Sequence, residues 1–325
     1  MKKLFSLILA MALTLSMSTA VFAETVNYTA TEATTFEQIT KTYSSENNVA
    51  VSETLSFTST ANTANPDGGA ANLSVADLVV SSLTPGKLSV TIPSLSVAGK
   101  YEWTIKETPG SAAGVIYSAD EIHVSVLVEY NNTDHKLQIA SANSYITKEN
   151  GKKADTFTNT FKSGSFTVAK NVEGNMANEN DKFEIKVTLT APEGKTINTP
   201  ISVGGTTVAA SDWKDGVYTK TLTISKADGK VTFSDIPTGV VVTVNEDTAA
   251  DKMNGYSYTS TKIGTTDFTS LTIADDTNAD IVVTNTNSTS VDTGINMDSV
   301  PYIILLAVVF VGLVGFVVKR RSSRY

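Results

Sequence analysis

The chain has 325 residues, about the length of two ordinary domains. It has no cysteine, which excludes a disulfide framework, a cysteine-ligated zinc site and a thiol nucleophile. The formal charge is −8, the two histidines are His123 and His135, and every arginine (Arg320, Arg321, Arg324) lies at the C-terminal end; an acidic, arginine-free body argues against a nucleic-acid partner, and two histidines are too few for most metal sites.

Taken in order, the chain opens on Met1-Lys2-Lys3, a charged start, followed by an apolar run from Leu4 to Leu15 and by Val21-Phe22-Ala23, which fits a small-residue cleavage site. Residues 1–23 therefore read as a signal peptide, cut between Ala23 and Glu24. The apolar run is short for a transmembrane anchor.

Two series of short strands follow. In the first, the stretches 54–59, 87–92, 101–105, 121–130 and 137–141 have strand character. In the second, they are 183–190, 217–224, 231–233, 240–244 and 281–283. Turn signals separate them, among them Pro85-Gly86, Pro109-Gly110, Asp228-Gly229 and Pro237 to Gly239. No long segment of helical period interrupts this pattern outside the two ends. The expected fold class is all-β: an N-terminal β-sandwich over 24–161, a short linker at 162–165 and a C-terminal β-sandwich over 166–289. The halves look like a distant repeat, since Lys87 to Pro93 followed by a strand to Glu107 parallels Lys230 to Pro237 followed by a strand to Glu246.

Within this repeat, polar residues fall in step with apolar neighbours. Lys170 shares the parity of Phe166, Val168 and Val172; Glu246 that of Val240, Val242 and Val244; Asn285 that of Ile281 and Val283. In the first half Lys41 is in phase with Ile39 and Tyr43, Glu107 with Tyr101, Trp103 and Ile105, and Asn159 with Phe157 and Phe161. In a strand one parity is one face, so all six point where the core is expected. A lysine in an apolar core is costly as an ammonium and gives up its proton readily. The neutral amine is a nucleophile, and a carboxyl group beside it can polarise an asparagine carbonyl and carry protons. Attack on the asparagine would release ammonia, leave a Lys–Asn amide and tie the first strand of each domain to its last.

These residues carry a resemblance. Thr167-Val168-Ala169-Lys170 at a domain start, Val242-Thr243-Val244-Asn245-Glu246 in mid-domain and Val283-Thr284-Asn285 at its end look like the isopeptide-linked immunoglobulin-like domains of Gram-positive pilus backbone (major pilin) subunits. Lys41, Ile105-Lys106-Glu107 and Phe157-Thr158-Asn159 carry it in the first half, where Gln38-Ile39-Thr40-Lys41 is a looser match. The resemblance implies two isopeptide bonds, Lys41–Asn159 promoted by Glu107 and Lys170–Asn285 promoted by Glu246. These two glutamates would be the only catalytic residues, acting once on the chain itself, so the protein is not expected to be an enzyme and needs no cofactor or metal.

The C-terminal end, 290–325, has three parts. Ser290-Val291-Asp292-Thr293-Gly294 comes first, then an uncharged run over 300–318 long enough to span a bilayer, then Lys319, Arg320, Arg321 and Arg324, which would hold that end in the cytoplasm. This order resembles the sorting signal of Gram-positive cell-wall proteins, in which a sortase cuts between Thr and Gly of a Leu-Pro-x-Thr-Gly motif and passes the threonine carbonyl to an amine. Thr293 and Gly294 match; Ser290 and Val291 depart from Leu and Pro, which favours a dedicated pilin sortase over the housekeeping enzyme. The resemblance further implies an acceptor lysine late in the first domain. Lys152 or Lys153, in a Gly-Lys-Lys turn, is the candidate, and the Tyr-Pro-Lys motif of a related pilin group is absent. The expected partners are a pilin-type sortase, neighbouring copies of the chain, minor tip and base pilins, peptidoglycan and, before processing, the membrane, with no nucleic acid. The expected product is a cell-wall-anchored surface pilus. The alternative is a surface adhesin anchored singly to the wall, with the same domains and no polymerisation.

Overall fold

A computed structural model of the chain describes residues 28–29, 32–45, 47–68, 70–147, 153–289 and 300–322. The expected signal peptide, with Ala23 and Glu24, lies outside the described residues, as do Lys152, Thr293 and Gly294.

The alternating stretches form strands, and the strands form two sandwiches. In the first, Thr40–Ser45 lies between Thr156–Phe161 and Gly86–Lys87 in a four-stranded sheet. A seven-stranded sheet containing Glu53–Ala61, Gly99–Thr108, Glu121–Asn131 and Lys136–Thr147 supplies the other layer. Ile39 and Phe157 from one layer meet Trp103, Ile105 and Val124 from the other in a single apolar core. In the second sandwich, Ser163–Glu173 lies between Lys230–Pro237 and Asn278–Thr286. The opposite layer holds Phe183–Thr190 between Val217–Ile224 and Val241–Glu246. Phe166 and Phe233 stack at its centre with ring centroids 4.7 Å apart. The fold is the all-β tandem of immunoglobulin-like sandwiches that the sequence pattern implies.

The repeat is present in the register. Thr40 pairs with Lys87 across an antiparallel edge, and Ala169 pairs with Lys230 across the corresponding edge. On the other side, each lysine strand runs parallel to the last strand of its own domain: Lys41 is opposite Phe157 and Tyr43 opposite Asn159, while Lys170 is opposite Val283 and Val172 opposite Asn285. Parallel neighbours cannot be joined by a hairpin, so each pair encloses nearly the whole sandwich between its members.

Two local features differ from the sequence expectation. The stretch 87–92 is not one strand. Gly86–Lys87 stays with the lysine strand, and Val90–Ile92 pairs instead with Thr34–Phe36 and Ser74–Val75. Leu88, Val90 and Ile92 keep one buried parity through the switch, so the apolar pattern survives while the ladder partner changes. The expected linker 162–165 is also narrower: Ser163 and Gly164 already pair with Pro237 and Ile236, and Lys162 alone separates the two domains' strands.

The joint between the domains is made largely by backbone, with two side-chain contacts beside it: Asn47 Nδ2 donates to Asp235 Oδ1 at 3.0 Å, and the Ser111 and Thr196 hydroxyls lie 3.2 Å apart. Ala112 and Thr196 form a parallel bridge, with Ala113 N–H donating to Thr196 O at 2.8 Å and Thr196 N–H to Ser111 O at 2.9 Å. Ser52 N–H donates to Asn198 O at 2.9 Å, and Lys162 N–H to Gly114 O at 2.7 Å. Gly114 has φ +75°, and a Cβ there would lie 2.6 Å from the Lys162 carbonyl oxygen.

Beyond the sandwiches, Val300–Ser322 is an α-helix whose described side chains, from Ile304 onward, are exposed. Among the described residues no helix is long and apolar enough to cross a membrane. The helix coincides with the uncharged run 300–318, whose first four side chains lie outside those described.

Candidate functional site: two buried lysine, glutamate and asparagine triads

Each lysine strand alternates buried and partly exposed residues, and the lysine takes a buried place. Each glutamate ends a buried parity on the facing layer: Tyr101, Trp103, Ile105 and Glu107 in the first domain, and Val242, Val244 and Glu246 in the second. Lysine and asparagine therefore come from adjacent strands of one sheet, and the glutamate reaches them across the core. The structure brings all six residues together as two triads.

In the first triad Lys41 Nζ donates to Glu107 Oε2 at 2.7 Å and to Asn159 Oδ1, and Asn159 Nδ2 donates to Glu107 Oε1 at 2.7 Å. The lysine and glutamate side chains are each 1% exposed. The Phe157 ring covers the amine, with Nζ 4.2 Å from its centroid. In the second triad Lys170 Nζ donates to Glu246 Oε1 at 2.7 Å, and Asn285 Nδ2 donates to the same oxygen at 2.9 Å. Here the Phe183 ring lies 4.3 Å from Nζ. Glu246 is partly exposed as a residue, but its side chain is fully buried, so its accessible surface is backbone. Burial pushes the Lys41 ammonium down to about 8 against the opposing pull of Glu107, and it lowers Lys170 in the same sense against Glu246.

This arrangement suits amide transfer. One carboxylate touches both the nucleophilic nitrogen and the nitrogen that would leave, so it can take a proton from the first and return one to the second. A lysine that has formed an amide no longer carries the charge that burial opposes.

Sequence parity missed two further contacts in the first site. Asn159 Nδ2 also donates to the Tyr43 hydroxyl at 3.2 Å, and Ser118 N–H donates to Asn159 Oδ1 at 2.8 Å. Tyr43 shares the parity of Lys41, so its place was readable; a loop backbone amide leaves no such trace.

The remaining candidates lie elsewhere. Lys153 opens the two-residue strand Lys153–Ala154, which pairs with Ile146 and Thr147, and its ammonium lies 3.8 Å from the centroid of the Tyr145 ring. It is exposed, but held in a strand rather than carried on a free turn. His123 packs against Tyr145, and His135 occupies a turn with φ +52°. Among the described residues, no group of three or more metal-ligating side chains is placed to hold an ion.

Two tandem sandwiches, each with a triad whose lysine and asparagine stand on adjacent parallel strands, are the arrangement that the sequence resemblance implies, except that in the first domain two short strands, Tyr28–Thr29 and Thr34–Phe36, precede the lysine strand. Residues 25–162 match the family model of the Spy0128-like isopeptide containing domain, and residues 164–287 match a domain of unknown function, DUF7601. Among solved structures, the chain is similar to the major pilin from Streptococcus pyogenes (TM-score 0.52, 20% identity, 81% of this chain and 100% of that one). It is also similar to the T3.2 major pilin protein of the same organism (TM-score 0.51, 19% identity, 78% and 99%). At these identities the likeness is one of fold. No curated protein sequence matches the chain. The resemblance to a pilus backbone subunit is thus borne out by family and fold.

Proposed function

We propose that the chain is a structural subunit of a Gram-positive surface pilus, exported, joined to copies of itself by a sortase and stapled internally by two isopeptide bonds. The observation that carries this reading is the pair of buried triads. In both domains they set a desolvated lysine against an asparagine on the neighbouring strand, with a carboxylate touching both. In each site the amine would attack the asparagine Cγ, the C–Nδ2 bond would break, and ammonia would leave. Glu107 and Glu246 take a proton from the lysine and return one to the departing nitrogen, so each ends as it began.

The route to the surface rests on the sequence of the two ends. The signal peptide would be removed between Ala23 and Glu24. The run 300–318 would hold the chain in the membrane while a sortase cuts between Thr293 and Gly294. At about 1.5 Å per helical residue this run is about 28 Å long, close to the ~30 Å hydrocarbon core of a bilayer. The Thr293 carbonyl would pass to Lys152 or Lys153 of the next copy, and finally to peptidoglycan. Minor pilins would complete the tip and base.

The test is an immunoblot of detergent-boiled wall material from the native cell, comparing wild type with Lys152→Ala/Lys153→Ala. A ladder of covalent multimers that collapses in the variant is the expected result. A persistent ladder would move the acceptor elsewhere. A single wall-linked band in the wild type would contradict polymerisation and favour the singly anchored adhesin.

A further inference from the structure

The two triads share their residues but not their surroundings. In the first, the Asn159 amide is held on every side. Its oxygen accepts from Lys41 Nζ and from Ser118 N–H at 2.8 Å, and its nitrogen donates to Glu107 at 2.7 Å and to the Tyr43 hydroxyl at 3.2 Å. Tyr43 is itself anchored. It donates to Glu53, whose other oxygen accepts from Tyr117 at 2.8 Å, and Tyr117 accepts the Ala112 N–H at 3.0 Å. In the second site Asn285 Oδ1 and Glu246 Oε2 have no hydrogen-bond partner among the described residues. Apart from Glu246, the Asn285 nitrogen meets only the Met253 sulfur at 4.0 Å, a weak acceptor. The register explains the missing hydroxyl: the residue opposite the asparagine is Tyr43 in the first domain and Val172 in the second.

An asparagine amide attacked by an amine builds negative charge on its oxygen, and a donor already aimed there lowers the barrier. An amide whose nitrogen is gripped by two acceptors cannot rotate its carbonyl away from the donor side. We propose that the Ser118 backbone amide and the Tyr43 hydroxyl complete the first site, the former holding the oxyanion on Asn159 Oδ1 and the latter orienting the leaving nitrogen, and that the second site, which has neither, closes its bond more slowly.

This inference rests on the isopeptide reading above. As Lys41 Nζ bonds to Asn159 Cγ, the carbonyl electron pair moves to Oδ1, where Ser118 N–H meets it. One proton passes from Nζ to Glu107. When the carbonyl re-forms, the C–Nδ2 bond breaks, and Glu107 returns that proton to the nitrogen, which leaves as ammonia. Tyr43 exchanges no proton; burial holds its hydroxyl well above the usual tyrosine range, so it remains a donor to Glu53 and an acceptor for Nδ2 throughout.

The experiment follows each bond separately. The full chain is made by cell-free synthesis in detergent, sampled over time, quenched in acid and digested. The branched peptide joining Lys41 to Asn159 and the one joining Lys170 to Asn285 are then quantified by mass spectrometry. Wild type is expected to close the first link at least about tenfold faster than the second, in keeping with the cost of losing one oxyanion donor. Tyr43→Phe should slow the first link about tenfold or more and leave the second unchanged, while Glu53→Gln, which keeps an acceptor for the Tyr43 hydroxyl, should stay within about threefold of wild type. Equal rates for the two links in wild type, or an undiminished first link in Tyr43→Phe, would overturn the proposal. The wild-type ratio decides the matter even if the variant does not fold. No branched peptide at either site in wild type would instead overturn the isopeptide reading itself.

Discussion

Lys41 and Lys170 are placed where a charged amine is least welcome, each against a phenylalanine ring and a single carboxylate inside an apolar core. The nucleophile is the deprotonated amine, so bond formation should gain rate as pH rises and flatten once the amine is mostly neutral. For Lys41, lowered to about 8, the first link should form roughly tenfold faster at pH 8 than at pH 6.5 and gain little above pH 9. Newly synthesised chain sampled across that range would show it; a flat profile would mean that deprotonation of Lys41 does not limit the step. Glu107→Gln keeps the shape of the side chain but removes the proton carrier. It should leave the first domain unlinked and heavier by one ammonia, with the second link intact, as intact-mass measurement would report.

At the scale of the strand, the site was legible because period-two alternation places side chains reliably. Ile39, Lys41 and Tyr43, then Tyr101 through Glu107, then Phe157, Asn159 and Phe161 each read as one inward face, and each is one. Which strands would be neighbours was not legible, since pairing partners depend on contacts far apart in sequence. That is why the stretch 87–92 reads as one strand and is two. Ser118 was invisible for a related reason: its contribution is a main-chain N–H in a loop, which any residue except proline could supply. The domain joint depends on the same kind of backbone contact. At Gly114, φ +75° and the 2.6 Å approach of a virtual Cβ to the Lys162 carbonyl leave no room for a side chain. Gly114→Val should therefore cost about 1–3 kcal/mol and loosen the joint. Denaturant unfolding would measure the cost, and faster amide exchange at Thr196 would locate it; unchanged exchange would mean that the joint is not held there.

For the molecule as a whole, the triads sit where a covalent bond constrains the most chain. Lys41 and Asn159 are 118 residues apart in sequence and neighbours in space. In the chain-entropy model, closing a loop of about 100 residues stabilises the fold by about 4.7 kcal/mol. Asn159→Ala with Asn285→Ala should then lower the melting temperature by an amount on the order of 10 °C and open both sandwiches to protease. A melting temperature equal to that of wild type would remove the mechanical reason for the bonds. The same geometry suits a fibre under tension. In the second domain a pull on the two ends would act on the first and last strands, which lie parallel and adjacent, and in the first domain on the lysine strand and the last strand beside it; the amide would carry the load across each pair. The docked joint, with Lys162 alone between the strands of the two domains, would pass it on to the next sandwich.

The most direct measurement is the intact mass of residues 24–289, purified in the folded state. Two isopeptide bonds would make the mass lower than that of the sequence by two molecules of ammonia, and digestion would yield branched peptides at Lys41–Asn159 and Lys170–Asn285. The full sequence mass in a folded sample would contradict the central claim.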